Sequence, residues 1–150
     1  MTHFLSPDSC QALVTALPDA ALVVNRENLI VAANDEACAI LSAHLQGQPV
    51  ALFLRSPDLL RALADAFLSP DHRRVELVVR AKIQRTLDVH LSSLGQDARD
   101  GLVLIILLDR TREQQIERMR SDFVANASHE LRTPLTTLSG FIETMQGAAS

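Results

Sequence analysis

The chain has 150 residues, of which 47% are apolar, so it is long enough for one packed domain of ordinary size and an additional segment. Fourteen basic and eighteen acidic residues give a net charge of −4 without any basic run, which disfavours nucleic acid or an anionic membrane surface as the main partner.

The longest apolar run, residues 102–108, is too short to cross a bilayer, and no signal-peptide pattern opens the chain. Cys10 and Cys38 have no metal-ligand spacing, and we expect free thiols in a reducing compartment. The expected location is therefore the cytoplasm. A longer parent protein could still carry an anchor in the bacterial inner membrane.

The first half of the chain alternates short helices with apolar strands. Ser6 and Pro7 predict a helix over residues 7–17 with Ser6 as its N-cap. Two apolar strands joined by a polar turn are predicted at residues 20–24 and 29–33. A short helix begins at residues 34–36 and reaches residue 41, and a helix capped by Ser56 covers residues 57 to about 68.

Three further strands are predicted in the second half. Residues 74–82 and 85–93 alternate between apolar and polar side chains, which is typical of half-buried strands. The predicted inward side chains are Val75, Leu77, Val79, Ala81, Leu87, Val89 and Leu91, and the predicted outward ones are Glu76, Arg80, Asp88 and His90. Residues 102–108 predict a central strand. Without regular β-α alternation, this order favours an α+β fold with a five-stranded antiparallel sheet.

From residue 112 onward the pattern predicts one long helix. At about 100° per residue, Phe123, Ala127, Leu131 and Leu135 fall on one slowly drifting apolar stripe. Seams with a/d-like spacing before and after these residues extend the stripe to Ile116 and Leu138. Such a helix is not stable alone, so we predict that the stripe is the seam of a parallel homodimer. The alternative is that the stripe packs against the chain's own sheet.

His129 lies on the opposite side of this helix from the stripe. Glu130 follows it, so a carboxylate could bind one ring nitrogen and leave the other nucleophilic. Pro134 removes a backbone donor and predicts a bend in the helix. Taken alone, these residues have a simpler interpretation, a helix with a solvated histidine and an unfavourable proline and no catalytic role.

Residues 128–135, Ser-His-Glu-Leu-Arg-Thr-Pro-Leu, resemble the phosphoacceptor box of sensor histidine kinases, the HisKA family. With residues 122–126, Asp-Phe-Val-Ala-Asn, the stretch looks most like the PhoR-like, phosphate-regulon branch. The resemblance implies that His129 accepts a phosphoryl group from ATP and passes it to an aspartate on the receiver domain of a response regulator. It also implies that Glu130 is the base and that Thr133 orients water during dephosphorylation.

Residues 10–111 resemble a PAS domain. The resemblance depends on residues 17–20, residues 33–37, and Asp109-Arg110-Thr111, which matches the Asp-x-Thr that joins PAS domains to an output helix. It implies that Asp109 and Thr111 transmit the signal. Plain helix capping is the alternative interpretation of these two residues, with Gln114 completing a capping box. The expected domains are a tail at 1–9, the PAS domain at 10–111, and the signalling helix at 112–150.

The family resemblance also implies what this chain lacks. ATP and Mg would belong to an ATP-binding domain of a longer parent kinase. No cofactor or metal is expected here, and the chain alone should be inactive. The input to the PAS domain stays open: the aliphatic lining favours a small apolar ligand in the PAS pocket or none, and without a ligand the domain would act mainly as a dimer contact. His44, His72 and His90 are interpreted as surface or turn residues rather than haem ligands. The alternatives are a non-catalytic PAS ligand-sensing and dimerisation module, or a transcription regulator, which would need a basic DNA-reading element.

Overall fold

The computed structural model describes residues 5–80, 83–95 and 101–149, with side chains described as far as Arg132 in the last helix. The chain divides into two compact units, Met1–Thr111 and Arg112–Ser150. Among the described residues, the first unit contains five strands and three short α-helices, and the second contains most of one long helix.

The first unit is built on one antiparallel sheet. Its strands are β1 (Ala20–Asn25), β2 (Ile30–Ala33), β3 (Arg73–Arg80), β4 (Gln84–Leu94) and β5 (Leu102–Asp109). They lie in the order β2-β1-β5-β4-β3, so β5 is the central strand and β2 and β3 are the edges. The prediction of an α+β fold with a five-stranded antiparallel sheet is confirmed, as is the central position of residues 102–108.

Three α-helices and one short 3₁₀ turn flank the sheet. They are α1 (Pro7–Ala16), α2 (Asp35–Leu41), the 3₁₀ turn Val50–Leu52, and α3 (Pro57–Ala66). Ser6 and Ser56 cap α1 and α3 as predicted, because their hydroxyls accept hydrogen bonds from the backbone N–H groups of Ser9 and Leu59. The 3₁₀ turn was not predicted, since residues 43–56 show no periodic pattern.

The two faces of the sheet bury different clusters. The main core consists of inward side chains from every strand, among them Leu22, Ile30, Leu87 and Ile105, packed against α2 and α3. A smaller cluster on the opposite face places Cys10 and Val14 of α1 against β1 and β2. Both cysteines are free, with Cys10 buried and Cys38 partly buried. Burial raises the pKa of the Cys10 thiol.

The predicted strand faces are confirmed with one correction. Leu77, Val79, Leu87, Val89 and Leu91 are all buried. Asp88 does lie on the face opposite to these residues, but it is only 4% exposed rather than solvated. Its burial is possible because Arg74 on the neighbouring strand covers it and donates a hydrogen bond to it. The inward prediction for Ala81 falls outside the described residues.

The fourth α-helix, α4, spans Thr111–Ala149, so its first residue belongs to the first unit and the rest of it to the second. It starts two residues after β5 ends, as the long periodic pattern predicted. The helix continues through Pro134, and the bend predicted at that position stays a prediction. Among the described residues, no helix is both long enough and apolar enough to cross a membrane.

Candidate phosphoacceptor helix and its junction with the sheet

His129 lies on α4 and its side chain is exposed. The segment around it is helical, so the geometry on which the phosphoacceptor prediction depends is present. Glu130 is also exposed and follows His129 directly. The side chains of Thr133 and Pro134 lie outside the described part of the helix, so the predicted role of Thr133 is not tested.

The apolar stripe of α4 is exposed along its described length. Ile116, Phe123 and Leu131 expose 53%, 73% and 66% of their surface, and Ala127 is partly buried. Met119, which lies between the first two along the helix, is 67% exposed. Large apolar side chains exposed in a continuous row are unusual in a soluble monomer and mark an interaction surface. The stripe positions Leu135 and Leu138 lie outside the described side chains.

The start of α4 is attached to the sheet through Thr111. Its hydroxyl accepts a hydrogen bond from the backbone N–H of Thr86 on β4 at 3.0 Å, and donates one to Asp109 Oδ1. Asp109 Oδ1 also accepts the backbone N–H of Thr111 at 3.0 Å. The backbone N–H of Arg110 donates to the carbonyl of Thr86 at 2.8 Å. The three residues from Asp109 to Thr111 are therefore fixed to one point on β4.

A salt bridge supports this junction from the same strand. Arg85 Nη1 lies 2.6 Å from Asp109 Oδ2, with both side chains partly buried. Burial acts to raise the pKa of Asp109, but the hydrogen bonds from Thr111 and the Arg85 guanidinium outweigh it. The pKa of Asp109 is therefore lowered, and the carboxylate is ionised at neutral pH.

Sequence reasoning identified Asp109 and Thr111 but missed their partners. Thr86 and Arg85 were seen only as strand residues, because nothing local in the sequence links them to positions 24 and 25 residues later.

Asn34, in the segment that suggested a PAS domain, joins three elements. Its Oδ1 accepts the backbone N–H groups of Ala21 and Ala37, each at 3.0 Å. Its Nδ2 donates to the carbonyls of Val14 and Asp19 at 2.9 and 2.8 Å. A short polar side chain at this position therefore connects α1, β1 and α2, and its full set of hydrogen bonds explains why it is buried.

A cleft lies between the 3₁₀ turn and β3. Its volume is about 450 Å³, and its lining consists of Leu52, Phe53, Arg55, Leu77, Val78, Val79 and Arg80. The three histidines that were considered as haem ligands do not line this cleft. His44 and His72 are exposed, as predicted, while His90 is partly buried and contacts His72.

Comparison with known proteins supports both halves of this description. Residues 119–149 match the model of the His Kinase A (phospho-acceptor) domain, HisKA, and this range contains His129. The phosphate regulon sensor protein PhoR of Pseudomonas aeruginosa is 34% identical over 142 residues, which cover 92% of this chain and 30% of the relative. The sensor protein SrrB of Staphylococcus aureus is 28% identical over 134 residues, covering 89% of this chain and 22% of the relative. The chain thus spans a third or less of these curated relatives.

Solved structures support the fold of the first unit. The PAS domain of nitrogen regulation protein NR(II) from Vibrio parahaemolyticus matches 66% of this chain and 95% of its own, with a TM-score of 0.54 and 19% identity. The PAS domain of an HTR-like protein from Haloarcula marismortui matches 66% of this chain and 87% of its own, with a TM-score of 0.54 and 21% identity. The chain therefore combines a PAS fold with a HisKA phospho-acceptor segment, and it is homologous to sensor kinases.

Proposed function

We propose that this chain is the sensor and phosphoacceptor part of a two-component histidine kinase. In this proposal the PAS fold controls a dimeric helix, and His129 accepts a phosphoryl group from ATP and Mg held by another domain of the parent protein. His129 then passes the group to an aspartate on the receiver domain of a response regulator. The observation that carries the proposal is that His129 is exposed on a helix within the range matched by the HisKA model.

The chemistry requires only a few groups from this chain. One ring nitrogen of His129 attacks the γ-phosphorus, the bond to the bridging oxygen breaks, and ADP leaves. Glu130 accepts the proton on the other ring nitrogen or holds it by a hydrogen bond, which keeps the attacking nitrogen nucleophilic. Thr133 orients the water that attacks the regulator during dephosphorylation. In this proposal the chain supplies the phosphoryl acceptor, and another domain of the parent protein binds the nucleotide.

The homodimer belongs to the same proposal. Phe123 and Leu131 lie on the exposed apolar stripe, on the side of the helix opposite His129. A second copy of the helix would bury these side chains and leave both imidazoles accessible to solvent. The charge of −4 and the lack of a basic run do not favour nucleic acid as an alternative partner.

The route from sensor to helix is proposed to pass through the junction at Thr111. Because Thr86 binds both Thr111 and Arg110, a shift of β4 would move the first turn of α4. Asp109 has the supporting role, since its carboxylate binds Thr111 and is held by Arg85.

Phosphotransfer can be tested by adding a matching ATP-binding domain and labelled ATP to the purified chain. Label should appear on the chain and disappear in His129→Gln. His44→Gln is the matched control, since His44 is also exposed but lies outside α4, and it should keep the label. Label that persists in His129→Gln would remove this residue from the role of acceptor.

A second candidate function is a non-catalytic PAS module that binds a small ligand. The cleft beside β3 favours it, because two arginines, Arg55 and Arg80, line a space whose other walls include Leu52, Phe53 and Leu77. This lining suits a small amphipathic acid, whose carboxylate would bind the guanidinium groups. Native mass spectrometry of the chain with and without Arg55→Ala would detect such a ligand. In this case His129→Gln would have no effect on signalling.

A further inference from the structure

Two histidines on the outer face of the sheet have their ring nitrogens directed toward each other. His72 Nε2 and His90 Nδ1 are 3.0 Å apart, and the ring centroids are 5.0 Å apart with an angle of 43° between the planes. We propose that His72 and His90 form a binding site for a transition-metal cation of the Zn²⁺ class. This inference does not depend on the proposed kinase role.

The strand register brings the two residues together. Arg74 of β3 lies opposite His90 of β4 in the antiparallel pair. Because side chains alternate along a strand, His72, two positions before Arg74, points to the same side of the sheet and is the diagonal neighbour of His90. The two residues are 18 positions apart in the sequence, so no ligand spacing could have revealed the pair.

A carboxylate orients the inner histidine. Asp88 Oδ2 lies 3.5 Å from His90 Nε2, and Asp88 Oδ1 accepts a hydrogen bond from Arg74 Nε at 2.6 Å. A proton on Nε2 of His90 is favoured by this carboxylate, so the lone pair is left on Nδ1, facing His72. The arrangement Asp-His is the usual support for a metal-binding imidazole, because the outer carboxylate fixes the tautomer and raises the basicity of the ligand.

The spacing fits a small divalent ion. Two imidazole nitrogens at tetrahedral angles around zinc are about 3.3 Å apart, given Zn–N bonds of about 2.0–2.1 Å. The observed 3.0 Å must therefore lengthen slightly, and the rings must tilt, because the ion would lie to one side of the line that joins the two nitrogens. The exposed His72 can make this movement more easily than the partly buried His90. Binding of the ion to His72 Nε2 requires the proton on that nitrogen to move to Nδ1 of the same ring or to be released to solvent.

The rest of the coordination shell would be water. Within the described part of the chain, no group of three or more His, Cys, Asp or Glu residues is arranged to hold a metal. With only two protein ligands, we expect the ion to bind weakly and to exchange with solvent, unlike the zinc of a structural site, which has four protein ligands. Imidazole ligands suit Zn²⁺, Cu²⁺ and Ni²⁺ better than Mg²⁺ or Ca²⁺, which take oxygen ligands.

The position of the site connects it with the start of α4. His90 and Thr86 belong to the same strand, and Thr86 holds Thr111. A metal bound by both His72 and His90 would link the start of β3 to β4 at the end of the hairpin away from Gln84. The site would therefore act on the strand that carries the junction.

The test is a Zn²⁺ titration of the untagged full chain by calorimetry, together with NMR of the imidazole protons. We expect the ring signals of His72 and His90 to shift on binding, and the affinity to fall at least tenfold in His72→Ala and in His90→Ala. His44→Ala and His129→Ala are the matched controls and should bind as tightly as the unchanged chain.

Three results would overturn the proposal: no binding, equal binding in His72→Ala, or an equal loss in the two controls. His72 is exposed, so its replacement should leave the fold intact. If His90→Ala fails to fold, the NMR shifts of the unchanged chain and the affinity of His72→Ala still decide the question. A failure of phosphotransfer to His129 would leave this result unaffected, because zinc binding is measured directly.

Discussion

Replacement of Asn34 by alanine should destabilise the PAS fold more than most single substitutions. The side chain is buried and makes four hydrogen bonds to the backbone of α1, α2, β1 and the loop before β1. Alanine would leave the buried N–H groups of Ala21 and Ala37 without their acceptor. Each such group costs about 1–3 kcal/mol, which gives a loss of about 2–6 kcal/mol for the pair.

That loss is a large part of the free energy of unfolding, which is about 5–15 kcal/mol for a typical domain. It corresponds to a fall in Tm of roughly 10 °C or more, since each kcal/mol shifts the Tm of a domain of about 100 residues by about 4–8 °C. Urea and thermal unfolding followed by circular dichroism would measure both quantities in the full chain.

Asn126→Ala is the matched control, because Asn126 is exposed on α4 and the same atoms are removed. The control should change stability by less than about 0.5 kcal/mol, the usual range for exposed positions. If Asn34→Ala were as stable as Asn126→Ala, the four hydrogen bonds would not hold these elements together, and the reasoning about this residue would be refuted.

Three other predictions concern the junction, the outer face and the stripe. Thr111→Val should lower the free energy of unfolding by about 1–2 kcal/mol and speed hydrogen exchange at the Thr86 amide, because that N–H loses its acceptor. Thr111→Ser keeps the hydroxyl and should restore protection. Unchanged exchange in the valine variant would contradict the assignment. The hydrogen bond from Arg74 lowers the pKa of Asp88 in the folded state. The ionised Asp88 carboxylate therefore contributes its full stabilisation above about pH 4, the pKa of an unfolded Asp, and this stabilisation is lost as the pH falls through the lower pKa of the folded state. Asp88→Asn should therefore flatten the dependence of the unfolding free energy on pH below about 4, and an unchanged acid slope in urea titrations would argue against the pair. Phe123→Asp should shift sedimentation toward monomer, because a charge in the seam cannot be solvated; no shift would mean that any dimer is held elsewhere.

Sequence periodicity was sufficient for the architecture because the relevant interactions are local or repeat every two residues. The alternation in residues 85–93 placed Leu87, Val89 and Leu91 in the core, and the continuous apolar run at 102–108 identified the central strand. Helix starts were predictable for the same reason. The hydroxyl that caps a helix lies only three residues from the N–H it binds.

The rest depends on contacts between residues far apart in the chain. The alternation predicted the outward face for Asp88, and only the strand pairing shows that Arg74 lies beside it there. The contact between His72 and His90 likewise needs the register of β3 against β4. For His129 the sequence supplied the helix and the exposed face, while the proposed roles of Glu130 and Thr133 come from the family resemblance.

The central position of β5 in the sheet affects the rate of hydrogen exchange at the strand that leads into the first turn of α4. Its backbone is hydrogen-bonded to β1 on one side and to β4 on the other, whereas β2 and β3 each have one neighbour. Amides of such a doubly paired strand exchange with solvent mainly when the whole domain opens, and edge strands exchange through smaller local openings. Because α4 begins two residues after β5, its first turn is connected to the part of the domain that should retain deuterium protection longest.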